Sequence, residues 1–292
     1  MSIPYLGSKR KSCNKIYEAI VSTSPKFNTF VDLFCGGFAV GEVFLQKGYK
    51  VVANDKNKCV IALLRKTIIE GLDKDKLYEF ITREKFFDIQ KNPDNYEDWY
   101  VGVAQCCWSF GNNQRCYLFA KSKVEKKHAF HDLVVHKDTI KASKYLTKEE
   151  MAQILELPTV KERRLKLGRL SKYILSGGRV RNFELEQLER LQQLERLELY
   201  SDSYENIVIP KNAVVYCDIP YKYVTEYKEG QFDHTKFWDW VREQSKHNLV
   251  FVSEYQAPDD FEVVLEFAQK STLCGGTQKH SNQPTEKLYK IK

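Results

Sequence analysis

The first quarter of the chain carries a succession of predicted elements that strongly restricts the possible folds. Residues 27–34 form an apolar run that contains Asp32, and the glycine-bearing loop 35–41 follows it. A helix is predicted after the loop, a second apolar strand over residues 49–55 ends on Asp55, and apolar residues at helical spacing predict another helix over residues 60–71. This strand–helix–strand pattern predicts an α/β fold built on a doubly wound, mostly parallel sheet.

A second acidic strand end lies much further along the chain. The apolar run 213–217 predicts a buried strand, and Asp218, Ile219, Pro220 and Tyr221 follow it directly. Ligand crevices of open α/β sheets lie at the carboxyl ends of strands. A carboxylate and a turn carbonyl accept the two N–H bonds of an exocyclic amino group, and an aromatic ring stacks on a flat base. A strand-ending turn with an ordinary tyrosine remains the alternative interpretation.

The glycine loop after the first strand has the properties of a nucleoside-binding loop. Gly36 and Gly37 allow a ligand to approach the backbone closely, and Asp55 is suited to accept ribose hydroxyls. The loop lacks a G-x-G-x-x-G pattern, and Asp32 would repel a phosphate but attract an ammonium or sulfonium group. These features favour S-adenosylmethionine, with a tight structural turn as the alternative.

Positive charge is concentrated in the middle of the chain. Segment 115–181 has seventeen Lys or Arg against seven Asp or Glu, a local charge of +10, whereas the whole 292-residue chain has a formal net charge of +7. The remainder is therefore slightly acidic. This segregation predicts a distinct basic lobe that contacts a polyanion.

The second half of the chain returns to an α/β pattern after a leucine-rich segment. Leucines recur every third residue from 185 to 197 and predict a helix over residues 183–200. A helix is predicted over residues 234–245 and a buried strand over residues 248–255. Residues 261–267 are compatible with either a strand or a helix.

The distribution of cysteine, histidine and apolar residues excludes several classes of protein. The eight cysteines form no CxxC pair and no histidine is spaced with them as in a zinc site, so we expect reduced thiols and no metal. The N-terminus has no apolar segment typical of a signal peptide, and no apolar run approaches the roughly 20 residues that span a bilayer. We expect a soluble cytoplasmic protein with no membrane or obligatory protein partner.

Taken in order, the conspicuous segments resemble the Dam-like DNA adenine N6-methyltransferases, and more narrowly their bacteriophage-encoded branch. The resemblance rests on residues 5–9 (YLGSK), 30–37 (FVDLFCGG), 54–55 (ND) and 218–221 (DIPY), with the basic insertion between the last two. It implies the S-adenosylmethionine-dependent methyltransferase fold. Residues 1–110 and 200–292 would form the catalytic domain, and residues 111–199 an inserted, mainly helical target-recognition lobe. The location would then be the host cytoplasm.

The resemblance also implies roles for individual residues. The cofactor would contact the N-terminal motif, the glycine loop and the ribose-binding acid, namely Tyr5, Gly7, Lys9, Asp32, Phe34, Gly36, Gly37 and Asp55. An adenine extruded from double-stranded DNA would bind to the catalytic motif, namely Asp218, Ile219, Pro220 and Tyr221. DNA contacts are expected from amide and basic side chains, namely Asn112, Asn113, Arg115, Lys121, Lys123, Lys126, Lys127, Arg163 and Arg164.

The catalytic motif departs from the family pattern D-P-P-Y at one position. Ile219 keeps the main-chain carbonyl but lacks the fixed φ of a proline, and we expect activity to be retained. Three other functions are compatible with the residues: a cytosine N4-methyltransferase, an RNA methyltransferase and a catalytically degenerate DNA-binding protein of the same fold. Protection of DNA against a cognate restriction enzyme is implied by the resemblance alone.

Overall fold

The computed structural model describes residues 2–72, 74–170, 194–220, 232–267 and 285–292. The strands in these ranges are β1 (Thr29–Asp32), β2 (Lys50–Asn54), β3 (Leu197–Tyr200), β4 (Val214–Asp218), β5 (Leu249–Glu254), β6 (Phe261–Phe267) and β7 (Glu286–Ile291). These seven strands form one sheet in the order β3-β2-β1-β4-β5-β7-β6. The first five strands in this order are parallel to one another, and β7 runs antiparallel to both of its neighbours, β5 and β6. The predicted mostly parallel, doubly wound sheet is confirmed.

Helices cover both faces of the sheet and build the insertion. They are α1 (Cys13–Thr23), α2 (Ala39–Gln46), α3 (Lys58–Arg65), α4 (Lys74–Leu77), α5 (Arg83–Lys91), α6 (Asp98–Cys107), α7 (Val124–His136), α8 (Lys148–Leu155), α9 (Val160–Leu170) and α10 (His234–Gln244). Side-chain caps define several starts: the oxygen of Asn57 accepts from two amides of α3, and Asp233 accepts from the Lys236 amide of α10. A π-helical turn, Lys66–Glu70, follows α3, so the helix predicted over residues 60–71 changes its hydrogen-bonding pattern before its end.

The sheet separates two apolar cores because successive side chains of a strand point to opposite faces. Phe30 and Tyr216 join the core that α1, α2, α3 and α6 cover. Val31 and Cys217 join the second core, which α10 covers. Strands buried on both faces read as continuous apolar runs, and this is why β1 and β4 were recognisable in the sequence.

The helix predicted over residues 183–200 is wrong at its C-terminal end. Leu194–Arg196 form a short 3-10 turn, and Leu197–Tyr200 are the strand β3, which pairs in parallel with β2. Leu197 and Leu199 are buried, whereas Glu198 and Tyr200 are more exposed, so the local period is two. Pairing with β2 therefore overrides the three-residue leucine spacing. Residues 183–193 of the predicted helix lie outside the described ranges.

The described part of the basic insertion has a small core of its own. Helices α7, α8 and α9 share buried apolar side chains that include Leu133, Ile154 and Leu167. A reciprocal capping box between Thr147 and Glu150 begins α8. Helix α7 is attached to the rest of the chain by His131, whose Nε2 lies 2.6 Å from the Tyr78 carbonyl oxygen. Residues 124–170 of the insertion are therefore mainly helical and have a core of their own.

Within the ranges described, none of the helices is both long enough and apolar enough to cross a bilayer.

Candidate active site

The sheet places two acidic strand ends side by side. Strand β1 has β2 on one side and β4 on the other, and Asp32 lies in register with Tyr216 of β4. The chain order therefore reverses between β1 and β4, and such a switch point opens a crevice at the carboxyl ends of the strands. Asp32 and Asp218 are the last residues of these two strands. The sheet topology thus brings the two sequence motifs together.

The glycine loop is packed directly against the N-terminal segment. The Ile3 amide donates to the Gly37 carbonyl oxygen at 2.9 Å. A Cβ at Gly37 would lie 2.4 Å from the Ile3 carbonyl oxygen, and one at Gly36, where φ is +45°, would lie 2.8 Å from the Tyr5 ring. Only glycine fits at these two positions, because any side chain would push the N-terminal segment away.

Asp55 is oriented by two backbone amides at the end of β2. One carboxylate oxygen accepts from Gly36 at 2.9 Å and the other from Asn57 at 2.8 Å. Burial raises the pKa of Asp55 above its usual value, and the two amides oppose that rise. Each carboxylate oxygen has a second lone pair, so the side chain still offers acceptors to the hydroxyls of a ribose.

Asp32 is a buried carboxylate with an incomplete charge balance. It is 2% exposed and accepts from the Gly41 amide, in the first turn of α2, at 2.9 Å. Burial raises its pKa to about 7; the Gly41 amide lowers the pKa, and the negative charges of Asp218 and Asp55 raise it further. A positively charged ligand beside Asp32 would favour the ionised form, which suits an ammonium or sulfonium group.

The catalytic motif is held by a buried cation from the N-terminal segment. Lys9 Nζ lies 2.6 Å from both carboxylate oxygens of Asp218 and 3.0 Å from an oxygen of Glu286. Burial alone lowers the pKa of the Lys9 ammonium, but the charges and hydrogen bonds of the two carboxylates outweigh burial and raise it above its ordinary value. Lys9, Asp218 and Glu286 therefore form one ionic cluster at the switch point.

The comparison with protein families decides which family the chain belongs to. The sequence matches the family of D12 class N6 adenine-specific DNA methyltransferases over residues 5–264. The chain belongs to this family. A comparison with curated proteins found no sequence match. The protein is therefore an enzyme that transfers a methyl group from S-adenosylmethionine to N6 of adenine in DNA, and the cytosine alternative is not favoured.

The residues of the methyltransferase fit its methyl donor. Gly36 and Gly37 let the loop pack against Tyr5 and Ile3 without a Cβ clash, Asp55 offers oriented acceptors for a ribose, and Asp32 offers a negative charge. Two other residues predicted to contact the cofactor, Phe34 and Gly7, do not lie in this group. The Phe34 ring packs 5.6–5.9 Å from the rings of three aromatic residues of the second core, and Gly7 is exposed with φ +75°.

The described part of the catalytic motif is also anchored in the second core. The Ile219 side chain is 2% exposed and belongs to the second core. Asp218 and Pro220 are half-buried. Tyr221 lies outside the described residues, and its stacking role stays a prediction.

The residues predicted to contact DNA have unequal exposure. Arg115, Lys121 and Lys123 are exposed, whereas Asn112, Asn113, Lys126 and Arg164 are half-buried. Lys127 is buried, with its ammonium 5.8 Å from the centre of the Phe119 ring, and burial lowers its pKa.

Arg163 differs from the other basic residues because it faces the interior of the lobe. It is 4% exposed, and its guanidinium donates to the carbonyl oxygens of Val134 at 2.6 Å, Leu157 at 3.0 Å and Pro158 at 2.9 Å. These bonds tie the end of α7 to the turn before α9. The side chain stabilises the lobe, and its burial makes it unavailable for the predicted DNA contact.

Sequence reasoning missed two residues of the site. The first is Glu286, which contributes the second carboxylate to the Lys9 cluster, although nothing in its local sequence separates it from a surface glutamate of a strand.

The second is Asn57, which caps α3 and donates to Gln105 at 3.3 Å and to Gln114 at 3.1 Å. An asparagine two residues after Asp55, just before a predicted helix, is a recognisable capping signal. Asn57 thus connects Asp55 to the loop 109–117.

Proposed function

We propose that the methyltransferase acts on an adenine rotated out of double-stranded DNA, and that Asp218 and the Ile219 carbonyl accept the two protons of its N6 amino group. The observation that supports this most is the position of Asp218 at the sheet switch point, beside the glycine loop. A base must leave the stack to reach such a crevice, at a cost of a few kcal/mol. Tyr221 would stack on the extruded ring.

The chemistry asked of these residues is orientation and charge stabilisation. S-adenosylmethionine supplies an electrophilic methyl group on a sulfonium centre. Acceptors at Asp218 and Ile219 draw the amino protons to one side and turn the nitrogen lone pair away from the ring. The Asp218 carboxylate also stabilises the positive charge that develops on nitrogen, and it lies within reach of the proton that must leave.

The isoleucine in the motif is compatible with this role. Its buried side chain anchors the backbone at residue 219 in the second core. A proline fixes φ through its ring, whereas Ile219 fixes the same backbone through packing. The carbonyl that faces the target base is therefore held in either case.

We further infer that residues 1–110 and 200–292 form the catalytic domain, which β3 joins by pairing with β2, and that the lobe that holds the duplex lies within residues 111–199. The support is the separate core of α7, α8 and α9 and the local charge of segment 115–181. Exposed cations contact phosphates and position the protein, and amides near the loop 109–117 read base edges. The bacteriophage branch and the cytoplasmic location rest on the sequence resemblance.

The experiment that tests the proposal is turnover of Asp218→Asn on a DNA duplex. The amide keeps the shape but replaces one acceptor by a donor, so we expect at least a ~100-fold loss of methyl transfer, since removal of one donor or acceptor from the reacting centre costs this much. Cofactor affinity by calorimetry should change less than about twofold, because the glycine loop and Asp55 are unchanged. Fluorescence of 2-aminopurine at the target should increase on binding to wild type. Undiminished turnover in the variant would refute the role of Asp218.

A further inference from the structure

Glu286 is a buried carboxylate that the proposed mechanism does not use. It is the first residue of β7, its side chain is 0% exposed, and one of its oxygens lies 3.0 Å from Lys9 Nζ. A carboxylate removed from water is unfavourable unless a cation compensates it. Strand β7 pairs with β5, which in turn pairs with β4, the strand that ends at Asp218. This pairing places Glu286 near Asp218, and Lys9 lies between the two carboxylates.

In this structure Lys9 covers the carboxylate that the target base needs. Its Nζ lies 2.6 Å from both oxygens of Asp218 and 3.4 Å from the Gly7 carbonyl oxygen. An ammonium has three protons to donate, and two contacts are made to Asp218. An adenine amino group that arrives at Asp218 therefore meets the Lys9 ammonium at the same two oxygens.

We propose that Glu286 is a positioning residue that takes over Lys9 when the target amino group binds to Asp218. Lys9 would keep its contact with Glu286 and release one oxygen of Asp218, which then accepts an N6 proton. The movement needed is small, because the ammonium already contacts both carboxylates. This role rests on the proposed function of Asp218.

The charge of the cluster gives the proposal its second support. One ammonium and two carboxylates carry a net charge of −1, which complements the positive charge that develops on the adenine nitrogen. The raised pKa of Lys9 keeps the cation charged beside both acids. A neutral amide at position 286 would leave the cluster with no net charge, and Lys9 could move only to an uncharged carbonyl oxygen in place of a carboxylate.

The test compares Glu286→Gln and Glu286→Asp with a matched control in steady-state methyl transfer to a DNA duplex. Glu286→Gln should lower kcat by about 10- to 100-fold, the range for removing a hydrogen bond to a charged group. The KM values for both substrates and the calorimetric cofactor affinity should change less than about threefold. Glu286→Asp keeps the charge and should recover part of kcat. Glu266→Gln removes an exposed carboxylate that pairs with Lys287 at 3.0 Å and should behave as wild type.

The outcomes separate this role from a merely structural one and from the proposed function. Unchanged kcat in Glu286→Gln with an active wild type would overturn the role of Glu286 alone. Loss of cofactor binding in parallel with kcat, or no recovery in Glu286→Asp, would also overturn it, because either result indicates a general packing defect. A wild type without methyl transfer, or an active Asp218→Asn, would overturn the proposed function and this inference together.

Discussion

At the scale of single residues, the environment of Asp32 determines its ionisation. The carboxylate is buried at the end of β1, and burial raises its pKa to about 7, with the Gly41 amide acting against the rise and the charges of Asp218 and Asp55 adding to it. The usual value for an aspartate is about 4. An acid of this kind destabilises the folded protein when it is ionised, and a cationic ligand relieves that cost.

Asp32→Asn should change the pH dependence of stability. Between about pH 4 and pH 7 the folded protein binds more protons at Asp32 than the unfolded chain does, so this contribution to stability is lost as pH rises through about 7. The asparagine can still accept from Gly41 and has no charge to lose. Thermal unfolding from about pH 5 to pH 8 should show that the variant becomes more stable relative to wild type as pH rises. The free energy of unfolding should shift in its favour by on the order of a few kcal/mol. A constant difference between the two proteins would contradict this account.

Gly37→Ala should distort the glycine loop and weaken cofactor binding. The added Cβ would lie 2.4 Å from the Ile3 carbonyl oxygen, which is backbone and cannot rotate away. We expect destabilisation of about 1–3 kcal/mol, as for overpacking, and about tenfold weaker cofactor binding by calorimetry. Gly71→Ala is the control, because its φ of +89° is strained but nothing lies within 4 Å. It should cost about 1–2 kcal/mol and leave cofactor affinity unchanged.

The acidic residues at strand ends could be predicted from the sequence, whereas Glu286 could not. Asp32, Asp55 and Asp218 each follow an apolar run, and the α/β pattern alone places such positions at one edge of a sheet. Glu286 depends on the antiparallel pairing of β7 with β5, which brings it to Lys9 from the opposite end of the chain. No local periodicity encodes that pairing.

At the scale of elements, the start of α3 connects Asp55 to the loop 109–117. Asn57 accepts from the amides of Cys59 and Val60, and its own side-chain amide donates to Gln114. Gln114 lies in the loop 109–117, where its backbone N–H donates to Ser109 Oγ at 3.1 Å. One asparagine therefore caps a helix and holds a loop.

Asn57→Ala should affect both stability and DNA binding. Loss of the cap is expected to cost about 1 kcal/mol, and loss of the bond to Gln114 should loosen the loop and weaken binding of a duplex. Thr82→Ala is the matched control, since Thr82 caps α5 through the Lys85 amide. It should cost a similar amount in thermal unfolding and leave duplex affinity, measured by fluorescence anisotropy, unchanged. Equal affinities for the two variants would contradict the connection.

The elements themselves could be predicted where local patterns and tertiary contacts agree. The strands β1, β2, β4 and β5 were recognisable because both faces are buried. Strand β3 was not, since Leu197 and Leu199 also continue a three-residue spacing. Only pairing with β2 distinguishes the two periods, and that contact is remote in sequence.

At the scale of the whole molecule, basic residues of the lobe divide into structural and exposed groups. Arg163 bonds three carbonyl oxygens inside the lobe, whereas Lys121 and Lys123 are exposed. A count of positive charge in the sequence treats them alike. Their exposure in the folded lobe separates them into a group that stabilises the fold and a group that is available to phosphates.

Substitutions in the two groups of basic residues should have different effects on stability and on DNA binding. Arg163→Ala leaves buried carbonyls without donors and should lower stability by about 2–4 kcal/mol. The double variant Lys121→Ala and Lys123→Ala should unfold like wild type but reduce the slope of log affinity against log salt by about two. Thermal unfolding and anisotropy at several salt concentrations measure both effects. A stable Arg163→Ala with a reduced salt slope would contradict the assignment.

The most direct test of the whole account is identification of the modified nucleoside by mass spectrometry after incubation of the wild-type protein with unmethylated duplex DNA and labelled S-adenosylmethionine. Membership of the adenine-specific family, together with the proposed role of Asp218 as acceptor from an exocyclic amino group, predicts N6-methyladenine and no other methylated nucleoside. N4-methylcytosine in its place would contradict the assigned target base. Cofactor binding without any methylated nucleoside would contradict the catalytic role of the site.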